Sequence, residues 1–356
     1  MPRVAGVDPG TVSFDLCVLQ DGHVVVEQEF ETGSLSEDSR PLLEALGRQG
    51  PYDLVYGPSG YGLPLLAAAD VGERELAEMV LVRPDEGRQD AGVGGMRSLL
   101  RALAHSGLPV VFGPGAIHLP SVPRHRKYNR IDLGTADKVC AAAYALVHQS
   151  ARRAIPLRET ALVLLELGGA FTAALAIADG QIVDGVGGSS GPIGVRAAGA
   201  LDGELAYLLG PALRKGTLFT GGALDPAGDL QLSDLSALWT ATTHAEGWTA
   251  LLESATKAVR GLLVSVPSPH EILVSGRLAR LPELVAALSG TLGDIAPVIA
   301  LVPGRASAAA HGGALLADAL AGGRNAVLAE VLRLRESSGS ALDHLRVAGA
   351  ETISLG

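Results

Sequence analysis

Little in this 356-residue chain is aromatic and little of it is sulfur: Phe, Tyr and Trp together make 4%, beside two cysteines and three methionines. Cys17 and Cys140 stand in apolar runs without CxxC spacing, which excludes a disulfide framework, a zinc finger or a cysteine-held cluster and leaves two buried thiols as the expectation. No apolar run approaches the roughly 20 residues that cross a bilayer, and no basic-then-apolar leader opens the chain. A cytoplasmic protein without a membrane partner is expected. Basic residues are in deficit, 28 against 38 acidic for a formal charge of −10. Apart from Arg124 to Arg130 they are scattered, which excludes a long nucleic-acid footprint but leaves room for a small anionic ligand. None of the nine histidines shows the HxxxH spacing that sets two metal ligands on one helical face.

What the chain has in quantity is glycine, 46 residues, with 20 prolines, spread as punctuation between periodic segments. Its length predicts two domains. The first 30 residues hold three strand-type runs, Val4 to Asp8, Ser13 to Gln20 and His23 to Phe30, with the hairpin signal Asp21-Gly22 between the last two. Helix-then-strand alternation follows in RPLLEALGRQ, YDLVYG, SLLRALAHSG and LPVVFG, which predicts parallel pairing in the same sheet. LGTADKVCAAAYALVHQS reads as a helix with closely packing alanines. Near residue 160 the opening returns: VAGVDPGTVSFDLCVLQDGHVVV aligns with LVLLELGGAFTAALAIADGQIVD, placing Asp8 beside Glu166 and Asp21-Gly22 beside Asp179-Gly180. The repeat divides the chain into halves of 1–155 and 156–356. The second half continues with a helix from about Ala245 to Ser265, the buried strand EILVSG, the helix LPELVAALSG and the small-residue helix ASAAAHGGALLADALAG.

The glycine turns decide the chemistry. A P-loop or a dinucleotide-binding loop opens a helix, because both set phosphate on a helix N-terminus. Here the turn is followed by a strand. In a strand-turn-strand, turn amides unpaired by the ladder converge as an anion-binding nest, which Gly10, Gly168 and Gly169 allow a phosphate to approach closely. Thr11 and Ser13 add hydroxyls. The Asp8 carboxylate would repel phosphate unless a divalent cation stands between them, so Asp8 implies Mg²⁺. Ordinary turns use the same residues, but two such turns at equivalent places in a repeat favour function.

On these stretches the chain resembles the superfamily of actin, the sugar kinases and acetate kinase, whose duplicated ribonuclease H-like halves clamp ATP in the cleft between them. VDPGTVS resembles the first phosphate loop, ELGGAFTAAL with Gly168, Gly169 and Thr172 the second, and ILVSGRLA with Ser275, Gly276 and Arg277 the adenosine loop. Gly134 to Ser150 and Ala306 to Leu320 resemble the two connecting helices. The resemblance implies an α/β fold of two mixed sheets flanked by helices, with ATP and Mg²⁺ as cofactors and Glu166 beside Asp8 at the metal. Glu166 stands where the family usually carries Asp, and Arg277 where a second glycine is common.

Within the superfamily, GVGGSSGPIGVRAAGALDGELAYLL is similar to a segment of the butyrate and acetate kinases, with Arg196 at the matching arginine. A planar guanidinium neutralises both a substrate carboxylate and a transferring phosphoryl. PRHRKYNRIDLGTADK leads into the first connecting helix, whose start lies near the cleft in these proteins. That makes Arg126, Arg130, Asn129 and Asp132 substrate-side candidates, with Asp132 a general base if the acceptor is a hydroxyl. An ionised carboxylate acceptor needs no base. His311 is expected to be a packed helix histidine, and Asp318 and Asp343 surface charges. The reading is a kinase for a short-chain carboxylate, with a homodimer possible. The alternatives are a hydroxyl-directed kinase, an ATPase that drives a partner protein, or a regulatory relative without catalysis. Cys17 and Cys140 lack the paired arrangement of the cluster-bearing activators in this superfamily.

Overall fold

A computed structural model describes the chain except Thr11, 32–38, Pro58, Asp90, 227–229, Gln231 and Ser233, with backbone only over 87–95. Two mixed sheets carry the fold. The first contains β1 (Arg3–Pro9), β2 (Ser13–Gln20), β3 (His23–Glu31), β4 (Leu54–Gly57), β5 (Leu66–Ala67) and β6 (Val110–Phe112) in the order β3-β2-β1-β4-β6-β5. The second contains β7 (Leu162–Leu167), β8 (Thr172–Ala178), β9 (Gln181–Val186), β10 (Glu271–Ser275) and β11 (Val298–Ala300) in the order β11-β10-β7-β8-β9. Each begins with an antiparallel three-strand meander and adds parallel strands beside its first strand. The duplication expected from sequence is therefore a duplication of topology.

The two meanders agree residue by residue. Asp8 and Glu166 lie 158 positions apart, as do Asp21 and Asp179. Asp8 faces Asp15 across β1–β2, and Glu166 faces Ala173 across β7–β8. Even the irregularity in strand pairing recurs at the same offset, between Val18 and Leu19 and between Ala176 and Ile177. Both hairpin turns need positive φ at two successive residues, 55° and 78° at Asp21-Gly22 and 52° and 74° at Asp179-Gly180. Asp-Gly adopts this readily, which is why the same dipeptide closes both.

β1 and β7 are buried along almost their whole length, because helices cover both faces of each sheet. One layer lies between the sheets. There the Ala136–Arg153 helix packs against β7 and β8, and the Ala308–Leu320 helix packs against β1, β2 and β4 although it comes from the second half of the chain. The two helices also pack on each other. Their small residues permit this: a side chain at Gly312 would stand 1.7 Å from the Cys140 carbonyl oxygen, and one at Gly6 of β1 would stand 2.1 Å from the Ala314 nitrogen. On the outer face of the first sheet lie the helices Arg40–Gln49, Glu73–Val80 and Ala91–Ala104, and on that of the second lie Ala245–Leu262 and Pro282–Leu292. Each outer layer closes its own apolar core, so the strand ends that face each other are left as the walls of a cleft. Cys17 and Cys140 are buried free thiols. Among the described residues no helix is long and apolar enough to cross a membrane.

Candidate functional site

The cleft encloses about 1070 Å³ and is lined by the ends of both meanders and the starts of both central helices. Asp8, Gly10, Ser13, Asp132, Glu166, Gly168, Gly169, Arg196, Gly276 and Arg277 all line it. Thr11 lies outside the described residues.

On the first side Asp8 and Asp15 face each other at the end of the hairpin. Ser307, the N-cap of the Ala308–Leu320 helix, reaches both. Its hydroxyl donates to Asp8 Oδ2 at 2.6 Å and accepts from the Ala310 amide at 3.0 Å, and its amide donates to Asp15 Oδ2 at 3.1 Å. Burial, then the charges of Asp137 and Asp15, push the Asp8 carboxyl up to about 8. Burial, then Glu29, pushes Asp15 up to about 6. Two crowded carboxylates in a dry place hold protons unless a cation compensates them.

On the second side Lys138, two residues into the Ala136–Arg153 helix, places Nζ 2.5 Å from Asp137 and 2.8 Å from Glu166. Burial pulls this ammonium down, but the charges of Asp137 and Glu166 outweigh it and hold Lys138 well above the usual lysine range. Burial works against ionised Asp137 too, and Lys138 overcomes it to bring that carboxyl below its usual range. Glu166 goes the other way, raised chiefly by burial. Thus each turn carboxylate meets a donor from the start of the central helix on its own sheet: a serine hydroxyl at Asp8 and an ammonium at Glu166.

The oxygen donors of Asp8 and Asp15 fit a hard divalent cation, and Asp15 Oδ1 is buried with no hydrogen-bond partner among the described residues. Among those residues no three His, Cys, Asp or Glu side chains form a closed cage. Mg²⁺ held by one or two carboxylates, water and phosphate needs none. Glu166, expected beside Asp8 at the metal, is instead paired with Lys138, which brings its own positive charge to that carboxylate.

The glycines act by what they leave out. Gly276 has φ +85°, and a side chain there would lie 2.3 Å from the Leu167 carbonyl oxygen. The Gly168 amide donates to Phe171 O at 2.9 Å, so the turn consumes it. Gly168 thus leaves room for close approach but has no free amide donor.

Farther along the wall, Arg196 Nε lies 3.3 Å from Asp225, a carboxylate only 4% exposed, which fixes the guanidinium. Lys215, in the same cleft, donates to Tyr61 Oη at 3.0 Å and sits 4.4 Å from that ring's centroid. Asp132 lines the cleft but is spent on architecture. It accepts from the amides of Gly134 (3.1 Å) and Ser189 (3.0 Å) and from Ser189 Oγ (2.9 Å), which pins the 187–190 turn.

Other candidates stand elsewhere. Arg130 is exposed and is not among the described lining residues. Arg126 donates to Val183 O at 2.7 Å and pairs with Asp184, while Asn129 accepts from the Arg346 amide. The basic segment therefore straps β9 and the C-terminal region to the fold. Thr172 and Ser275 are buried strand residues outside the lining. His311 pairs with Glu27 at 2.7 Å as a packed helix histidine. Asp318 is fully buried, not a surface charge: it accepts from the Asn325 amide and side chain. Sequence reasoning missed Asp15, Lys138, Ser307 and Lys215. Only Ser307 carried a local signal, a serine directly before a helix.

A family model described as "Protein of unknown function (DUF1464)" matches residues 6–347. The chain belongs to the DUF1464 family. No curated protein matches it in sequence. Among solved structures, a propionate kinase from Francisella tularensis subsp. tularensis SCHU S4 is 11% identical with a TM-score of 0.60, over 88% of this chain and 99% of that one. Acetate kinase from Porphyromonas gingivalis gives 13% identity and 0.55, over 83% and 88%. That from Entamoeba histolytica gives 12% and 0.54, over 82% and 86%. The chain therefore has the fold of these acetate and propionate kinases.

Proposed function

We propose that the protein is an ATP-dependent phosphotransferase whose acceptor is a small-molecule carboxylate. The observation that carries this is the pair of cationic groups, Arg196 held by buried Asp225 and Lys215 over Tyr61, in one cleft with the glycine turns and the Asp8–Asp15 pair. The nucleoside of ATP lies against Gly276 and Arg277, and its phosphates lie between the turns after β1 and β7. Mg²⁺, held by Asp8 and Asp15 with water, would neutralise phosphate charge there. Lys138 sets a fixed positive charge at the floor of the cleft between the turns.

Arg196 orients the acceptor carboxylate. One of its oxygens attacks the γ-phosphorus, forming an O–P bond while the bond to the β–γ bridging oxygen breaks and its electron pair leaves with ADP. The acceptor enters ionised, so no proton moves and no base is needed. The structural hydrogen bonds that Asp132 accepts are compatible with that. A hydroxyl acceptor is the second reading, favoured by Asp137, which Lys138 keeps ionised within the cleft.

Mg·ATP, a panel of carboxylates and hydroxylamine separate the two. A carboxylate kinase yields hydroxamate in step with ADP. ADP without hydroxamate overturns the carboxylate reading.

A further inference from the structure

The chain has five Phe, six Tyr and two Trp in all, and three of these rings, Tyr61, Phe171 and Phe219, line the cleft. None of them belongs to the three apolar cores. Phe171 and Phe219 meet edge to face with centroids 5.0 Å apart, and Phe219 lies in the same short helical turn, Lys215–Phe219, that brings Lys215 over Tyr61. Met96, partly buried against the core of the first sheet, also lines the cleft. An aromatic-poor protein that keeps partly exposed rings out of its cores holds them for a ligand, since exposed apolar surface facing a cleft lowers free energy only when something covers it.

Strand order puts this patch on the β8 side of β7, away from β10. β7 carries the second phosphate turn, with β10 on one side and β8 on the other. Gly276 and Arg277 follow β10 on the nucleoside flank, whereas Phe171 immediately precedes β8. Arg196 joins that flank, its amide donating to Ala170 O at 3.2 Å. Anion-holding cations and an apolar wall therefore lie together, beyond the phosphate turn from the nucleoside. Acetate would leave that wall in water.

We infer that the acceptor is an amphiphilic monocarboxylate with an apolar group larger than a propyl chain, branched or aromatic. Its carboxylate is held by Arg196 and Lys215, and its apolar end lies against Tyr61, Phe171 and Phe219. This rests on the carboxylate reading above.

The test measures hydroxamate formation by the intact protein with Mg·ATP across acetate, butyrate, 3-methylbutyrate, hexanoate and phenylacetate. The expected result is a kcat/KM that rises by roughly fourfold per methylene covered. Phe219→Ala is expected to lower the ratio of phenylacetate to acetate kcat/KM at least tenfold. Phe219→Leu, which keeps an apolar side chain, should recover part of that ratio. Hydroxamate that forms fastest with acetate, or equally across the series, overturns the inference and leaves carboxylate phosphorylation standing. Absence of hydroxamate with every acid overturns both.

Discussion

Asp8 carries a burial cost that a bound cation would relieve. Its carboxyl, raised to about 8 by burial and by neighbouring acids, does not favour the fold as an anion. Asp8→Asn is therefore expected to melt no lower than the parent in metal-free buffer while losing at least about a hundredfold in Mg·ATP turnover, the scale of removing one transition-state electrostatic contact. Paired thermal melts and an ADP-release assay check both halves. Lys138 is the opposite case, because its removal strands Asp137 and Glu166. Lys138→Met should cost about 3–5 kcal/mol in urea denaturation, as for a broken buried ion pair. His118, 2% exposed, supplies a pH dependence away from the cleft. Burial lowers it from its ordinary 6.5 to about 4. The folded protein then binds fewer protons than the unfolded chain between those values, so stability is lost as pH falls from 6.5 to 4, by about 3 kcal/mol. Urea melts at pH 7 and pH 4.5 should show a smaller difference in His118→Gln than in the parent.

Elements explain why one substitution has opposite signs at two places. Helix propensity favours alanine over glycine by about 1 kcal/mol. At Gly47, in the Arg40–Gln49 helix, an added Cβ meets nothing within 4 Å, so Gly47→Ala should stabilise by about 0.5–1 kcal/mol. At Gly312 the same atom meets the Cys140 carbonyl at 1.7 Å, and overpacking of about 1–3 kcal/mol outweighs propensity. Gly312→Ala should lower the melting temperature while Gly47→Ala raises it. The central helices also aim their starts at the cleft. Ser307 and Lys138 each occupy a first turn or cap, and each meets the acidic residue one position before the end of the neighbouring strand.

Over the whole molecule, the loop before Phe219 bridges the cleft. Arg214 meets Asp85 at 3.1 Å, Arg83 donates to Leu213 O at 2.9 Å, and the Lys215 amide donates to Glu86 at 2.6 Å. The Arg214–Asp85 pair is half-exposed or more on both sides and is worth less than about 1 kcal/mol to stability. Asp85→Ala should change urea denaturation by no more than that. Ligand binding across the cleft has a larger effect: at a hundred times its Kd, Mg·ATP should add about 2.7 kcal/mol, read as a rise in melting temperature.

The repeat, both Asp-Gly hairpins, the glycine turns and Asp8 were legible in the sequence because each depends on local pattern, two-residue alternation or the φ that a turn demands. The chain alone thus determined two equivalent meanders with turns suited to an anion. The partners of those turns were not legible. Asp15 meets Ser307 across 292 positions and Lys215 meets Tyr61 across 154, distances at which no periodicity carries information. The basic run from Arg124 to Arg130 misled for the same reason: charge density is visible in sequence, but the direction each side chain takes is set by what packs beside it. Only the tertiary structure, by laying a helix from the second half on the first sheet, decided which carboxylates crowd together, which cation answers them and which aromatic rings line the cleft.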